Sequence, residues 1–141
     1  MGLRLAIDFD RTLVSGEPLA WRPGARAALD RLRLAGHHLI LHSSRCNPAD
    51  PAPAVDDEID RYYRLGEVPL RVLEQWARFA EMRRFLQADG AWIAFDEVWQ
   101  APGKPPADLF LDDKAELPAW ARIVAELAPA TSVVAPIAAA G

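Results

Sequence analysis

A single cysteine, Cys46, stands in a chain of 141 residues, so no internal disulfide is possible and the fold must rest on its apolar core. That core is available, because 51% of the residues are apolar. One unpaired thiol suits a reducing compartment. Long apolar runs are also missing, and none approaches the ~20 residues that span a bilayer. Asp8 and Asp10 interrupt the first apolar segment before a secretory leader is complete. A soluble, cytoplasmic protein with no membrane association is expected. Nor is there a surplus of positive charge. Sixteen Lys and Arg against 20 Asp and Glu leave a net charge of −4, which removes the usual electrostatic basis for binding nucleic acid or acidic membranes. No internal repeat is visible, and the length suits one domain over residues 1–141.

What is present is an alternation of short apolar runs with amphipathic segments. Leu3 to Ile7 is a run of the length of a buried parallel strand, ending at Asp8. Pro23 and Gly24 open a segment whose apolar residues, Ala25, Ala28, Leu29, Leu32 and Ala35, recur at helical spacing, with Gly36 placed to end it. Leu39 to Leu41 is a second strand, stopping at the polar residues His42 to Arg45. Strand, helix, strand predicts a right-handed crossover and a parallel sheet. Cys46 to Val55, with three prolines, reads as an exposed loop, and Asp56 to Leu65 carries no decisive pattern. From Pro69 to Asp89, Val72, Trp76, Phe79, Met82 and Leu86 mark a long amphipathic helix, with Gly90 as its stop. Trp92 to Trp99 and Leu109 to Leu111 read as third and fourth strands, Pro118 to Leu127 as a helix, and Ser132 to Ala135 as a short edge strand before a poorly ordered Ala-rich tail.

Three of these strands end in polar residues on the same side: Asp8 and Asp10, Ser43 and Ser44, Asp112 and Asp113. In an open parallel sheet the carboxyl ends line one edge, and ligands bind there at the switch point. Any one of these aspartates is equally read as a strand-end or helix cap; their joint placement is what points to a site. Four carboxylates gathered at one edge repel one another unless a cation sits among them. Mg²⁺, a hard cation with oxygen ligands, is the expected cofactor, with phosphate completing its octahedron.

The same residues carry a resemblance. AIDFDRTLV at residues 6–14 resembles the first signature of the haloacid dehalogenase-like hydrolases, a strand ending in Asp-x-Asp-x-Thr. LILHSSR at 39–45 is similar to their second motif, and GKPPADLFLDD at 103–113 to their third and fourth, a Lys followed by a strand ending in paired aspartates. The motifs stand in the family's order over residues 5–114. The resemblance implies a three-layer α/β/α Rossmann-like fold with a central parallel sheet. It also implies a Mg²⁺-dependent phosphatase working through an aspartyl-phosphate.

Carried over position by position, the resemblance makes Asp8 the nucleophile and Asp10 the general acid and base, with the Asp10 backbone carbonyl also a metal ligand. Ser43 would donate to the transferring phosphoryl group, Ser44 being the other residue that fits the motif, and Lys104 would neutralise its charge. Asp112 and Asp113 would complete the metal set with Asp8 and Asp10, Asp112 as the more direct ligand. Thr12 supports the loop at the substrate-binding side. Arg11 stands where the family usually has Gly, and its side chain either projects over the site toward substrate or points to solvent. Arg45 suits a substrate phosphate or carboxylate as well as a surface salt bridge. His37, His38 and His42 lack metal-site spacing, the tryptophans read mostly as core, and Cys46 reads as an ordinary thiol.

In the family, cap insertions largely choose the substrate. Here the gap from Val14 to His38 holds one loop and one core helix, and the second gap leaves residues 46–68 as surplus, enough for a small lid. An open site is expected, taking a phosphorylated small molecule or the phosphorylated end of a larger substrate. The alternatives are a catalytically silent phospholigand-binding or regulatory protein of the same fold, a receiver-type domain, and a dehalogenase. A receiver's acceptor Asp should end the third strand, not the first, and a dehalogenase has no need of a second acid at Asp10.

Overall fold

The apolar runs around Ala6, Ile40 and Phe110 become neighbouring strands of one sheet in the computed structural model, which describes residues 2–113 and 119–129. In chain order the elements are β1 (Arg4–Ile7), β2 (Val14–Ser15), β3 (Ala20–Trp21), α1 (Ala25–Leu34), β4 (His38–Leu41), α2 (Asp56–Leu65), α3 (Leu70–Ala88), a 3₁₀ turn (Trp92–Ala94), β5 (Glu97–Val98), β6 (Leu109–Leu111) and α4 (Trp120–Leu127). The central sheet has the order β5-β4-β1-β6 and every pairing in it is parallel. With its flanking helices this is a three-layer α/β/α Rossmann-like fold. Because β4 and β6 lie on opposite sides of β1, the strand order reverses at β1, and the carboxyl end of that strand is the switch point.

Strand alternation sends Leu5 and Ile7 of β1 and Leu39 and Leu41 of β4 into one cluster with Leu29 and Leu32 of α1, Met82 and Leu86 of α3, and Trp120 and Ile123 of α4. Each such side chain contributes about 1.5–3 kcal/mol when fully buried. Gly36, at φ 93°, ends α1 in a left-handed conformation that an L side chain adopts only under strain. His37 follows it. Its Nδ1 accepts from the Leu3 amide at 3.0 Å and its Nε2 donates to the Leu127 carbonyl at 2.6 Å, tying β1 to α4.

Three segments differ from their sequence expectation. Of Trp92 to Trp99, only Glu97–Val98 is strand; the first residues form the 3₁₀ turn, which sets Trp92 edge-on against Phe79 and leaves Ile93 exposed. Asp56–Leu65 is a helix, with Asp56, Asp57 and Glu58 in its first turn and Gly66 as its C-cap. Between Val14 and α1 the chain forms a small antiparallel ribbon, β2 with β3. The expected edge strand at Ser132–Ala135 and the Ala-rich tail lie outside the described residues, as does Pro118. Among the described residues, no helix is long and apolar enough to cross a membrane.

The surplus segment at 46–68 lies along α3. Trp76 Nε1 donates to the Asp50 carbonyl at 2.9 Å, and Gln75 Nε2 to the Arg45 carbonyl at 2.9 Å. The buried Arg83 donates to the carbonyls of Pro53 and Ala54, each at 3.0 Å, and to the Asp56 carboxylate. Arg84 also reaches Asp56, at 3.0 Å, but its side chain is 60% exposed. The two arginines therefore make a matched test. Arg83→Met, which strands two carbonyls, should lower the unfolding free energy in urea by about 2 kcal/mol. Arg84→Met should cost under about 0.5 kcal/mol.

Candidate active site

The site begins where β1 stops. The Asp8 amide continues the ladder by donating to the Leu111 carbonyl at 3.0 Å, so Asp8 leaves the sheet in register with β6. The next residue, Phe9, is fully buried, and its carbonyl accepts from the amides of Leu13 at 3.0 Å and Val14 at 3.2 Å. This folds residues 9–14 into a tight turn against the core. A cleft of about 420 Å³ opens at this edge, and Asp8, Arg11, Ser43, Ser44, Asp112 and Asp113 all line it. Three strand ends far apart in sequence meet there, as the sequence pattern implies.

The carboxylates are divided between cations of the protein itself. Asp10 turns away from the cleft and is clamped by Arg45, whose Nε meets Oδ2 at 2.9 Å and whose Nη2 meets Oδ1 at 2.7 Å. Those bonds, from the side chain of a buried arginine, hold the Asp10 carboxyl below the usual range. Arg45 also donates to Glu81 at 2.7 Å and to the Arg78 carbonyl at 2.9 Å, and its guanidinium lies 5.1 Å from the Phe9 ring centroid. Asp113 is paired with Arg11 at 2.7 Å. Asp8 is different. Burial pushes its carboxyl up to about 6, and repulsion from Asp113, Asp10 and Asp112 adds to this against the opposing bond from the Phe9 amide at 2.8 Å.

Several expected roles shift with these contacts. Arg45 is not a substrate ligand in this arrangement, because its side chain is spent on Asp10, Glu81 and a helix carbonyl. Thr12 is fully buried, with no partner for its hydroxyl among the described residues, and its carbonyl accepts from Trp120 Nε1 at 2.9 Å. It lies within the turn and is not among the residues lining the cleft. Ser43 is buried and its Oγ accepts from the Arg45 amide at 3.1 Å, whereas Ser44 is exposed; both border the cleft. Lys104 is exposed, with its ammonium 5.1 Å from the Phe110 ring centroid, and it is not among the residues lining the cleft. Arg11 does project over the site. It does so from a left-handed backbone at φ 62°, where a glycine is the usual occupant.

The fit of a divalent cation is read from the oxygen donors around the cleft. Among the described residues, no three His, Cys, Asp or Glu side chains gather closely enough to form a metal-holding group. The expected set of four carboxylates is thus reduced, because Asp10 is committed to Arg45 and Asp113 to Arg11. Asp8 and Asp112 are hard oxygen donors lining one cleft. Mg²⁺ commonly takes one or two carboxylates and keeps several waters, so this donor chemistry suits it.

The other side of the cleft is aromatic. His42 follows the last residue of β4 and Trp99 the last of β5, so both stand at carboxyl ends, and Phe110 of β6 joins them. Position after a strand was the available signal; a residue type commonly found in cores masked it.

Asp8 gives a stability test with a defined sign. Its folded value, about 6, lies above its ordinary 3.8, so between those values the folded state holds a proton that the unfolded state has lost. Stability should fall as pH rises through that window and level off above it. Asp8→Asn removes this slope. In denaturant titrations without added metal, the variant should be more stable than the parent at pH 8, with the gap closing by pH 4.

The chain is similar to a solved structure of a conserved protein from Bacteroides thetaiotaomicron, with 22% identity over 90% of each chain and a TM-score of 0.57. No protein-family model and no curated protein matches it. The likeness establishes a shared fold.

Proposed function

We propose that the protein is a Mg²⁺-dependent phosphatase of the haloacid dehalogenase-like kind, cytoplasmic, hydrolysing phosphomonoesters through an aspartyl-phosphate on Asp8. The observation that carries this reading is the position of Asp8: at the carboxyl end of the central strand, opening into a cleft with Ser43 and Asp112 at the switch point.

In the first step an Asp8 carboxylate oxygen attacks phosphorus, the bond to the leaving oxygen breaks, and an acyl phosphate forms. In the second, water attacks that phosphorus and Asp8 is regenerated. Arg11, at the mouth of the cleft, brings positive charge toward the phosphoryl oxygens, and Ser43 offers a hydroxyl. Bound Mg²⁺, held by Asp8, Asp112 and the Asp10 carbonyl, would neutralise charge on the phosphoryl group. Lys104, on a flexible stem beside Phe110, can swing toward the cleft once an anion occupies it. Asp10 would take a proton from water in the second step only after its carboxylate leaves Arg45 and turns to the cleft. Donating one in the first step runs against the clamp. Leaving groups that depart as stable anions should therefore react fastest. The cleft is open enough for a phosphorylated small molecule or the phosphorylated end of something larger.

A second reading, a phospholigand-binding protein without turnover, is favoured by two observations: the clamp on Asp10 and the position of Lys104 outside the cleft. Hydrolysis of p-nitrophenyl phosphate separates the two. The phosphatase reading predicts turnover that needs Mg²⁺, stops with EDTA, and falls about a thousandfold in Asp8→Asn. Folded protein with no turnover under any of these conditions selects the binding protein.

A further inference from the structure

Below the carboxylates the cleft continues over the face of the sheet. Its floor is Ala6 of β1, which stands in register between Ile40 of β4 and Phe110 of β6. Three rings border it. His42 and Phe110 meet edge-on, with centroids 6.2 Å apart and planes at 68°. Trp99 is fixed by its Nε1, which donates to the Gly103 carbonyl at 2.9 Å and closes the loop that forms the outer rim. Ala101 and Gly103 in that rim are too small to fill the space. Phe110 is 37% exposed and Leu109 of the same strand 39%, whereas the apolar residues of β1 beside them are almost fully buried. A phosphoryl group at Asp8 would occupy only one end of a cleft of about 420 Å³, so the aromatic end is left for the rest of a substrate.

We infer that the wall formed by His42, Trp99 and Phe110 over Ala6 is the leaving-group subsite, and that it receives a flat aromatic or heteroaromatic ring carried by the phosphoryl group. The inference rests on phosphoryl chemistry at Asp8. Rings bordering one cleft favour a flat partner, because stacked and edge-on ring contacts add to simple burial, and the Lys104 ammonium 5.1 Å from the Phe110 centroid would have to yield to a ring stacked on that face. A saturated ring of the same carbon count has as much apolar surface to bury but cannot enter between the rings in the same way.

The test is calorimetric binding of two phosphonates, which cannot be hydrolysed at the C–P bond, to the full chain with Mg²⁺ present. Phenylphosphonate should bind three- to tenfold more tightly than cyclohexylphosphonate. Trp99→Leu should abolish the difference, and Phe110→Leu should reduce it. Trp99→Phe should keep most of it, although that variant loses the bond to Gly103, so stacking is separated from anchoring of the loop. Equal affinities in the parent, a preference that survives Trp99→Leu, or failure of both ligands to bind would each overturn the subsite. Turnover of phosphomonoesters without a ring preference would sink this inference and leave the chemistry at Asp8 standing. A ring preference without turnover would do the reverse.

Discussion

The carboxyl edge of the sheet is organised around one buried cation, the guanidinium of Arg45. It is 6% exposed, and four of its hydrogen bonds go to Asp10, Glu81 and the Arg78 carbonyl. Through them the turn after β1, the loop after β4 and the helix α3 are fixed to one another at a single point. Desolvating such a group is costly, and the cost is offset only when its donors are nearly all satisfied. Removing one partner of a fully buried pair costs about 3–5 kcal/mol. Asp10 is 31% exposed at its side chain, which places this clamp toward the lower part of that range. The functional consequence is one of orientation: Asp10 faces inward toward Arg45, and Asp8 alone of the first pair faces the cleft.

The rest of the charge arrangement follows from that division. With Asp10 neutralised from the inside and Asp113 from the mouth by Arg11, Asp8 is the carboxylate whose proton affinity rises. Arg11 holds its place at a backbone conformation costing about 1–2 kcal/mol for a residue with a Cβ. Arg22 secures it by donating to its carbonyl at 2.6 Å. From that backbone Arg11 sets its guanidinium at the mouth of the cleft, paired with Asp113. The same cleft is lined by carboxylates at one end and by rings at the other.

The elements legible in the sequence were those that bury a repeating face. β1, β4 and β6 are short apolar runs, and α1 and α3 carry stripes ending in the core. α2 escaped because none of its residues is buried: Ile59 and Tyr62 only lean on the Val72, Leu73 and Trp76 cluster. The turn at Trp92 escaped because a three-residue element is too short to show a period. In the site, Asp8, Ser43 and Asp112 were legible since strand ends fix their place. Arg45 was misjudged because sequence position cannot tell an arginine aimed at solvent from one turned under the edge toward α3. The commitment of Asp113 to Arg11 was equally hidden, since it joins residues far apart in the chain. Trp99 and Phe110 could not be separated from core aromatics until both were seen to line the cleft.

Aspartyl-phosphate chemistry requires that phosphorus become bonded to Asp8 during turnover. Rapid acid quenching during turnover of an aryl phosphate, followed by peptide mapping, reads this directly. The account predicts a phosphoryl adduct on the peptide containing Asp8, at a carboxylate, discharged by hydroxylamine and absent in Asp8→Asn. Turnover with no adduct at any time point, or an adduct on a different residue, would contradict it.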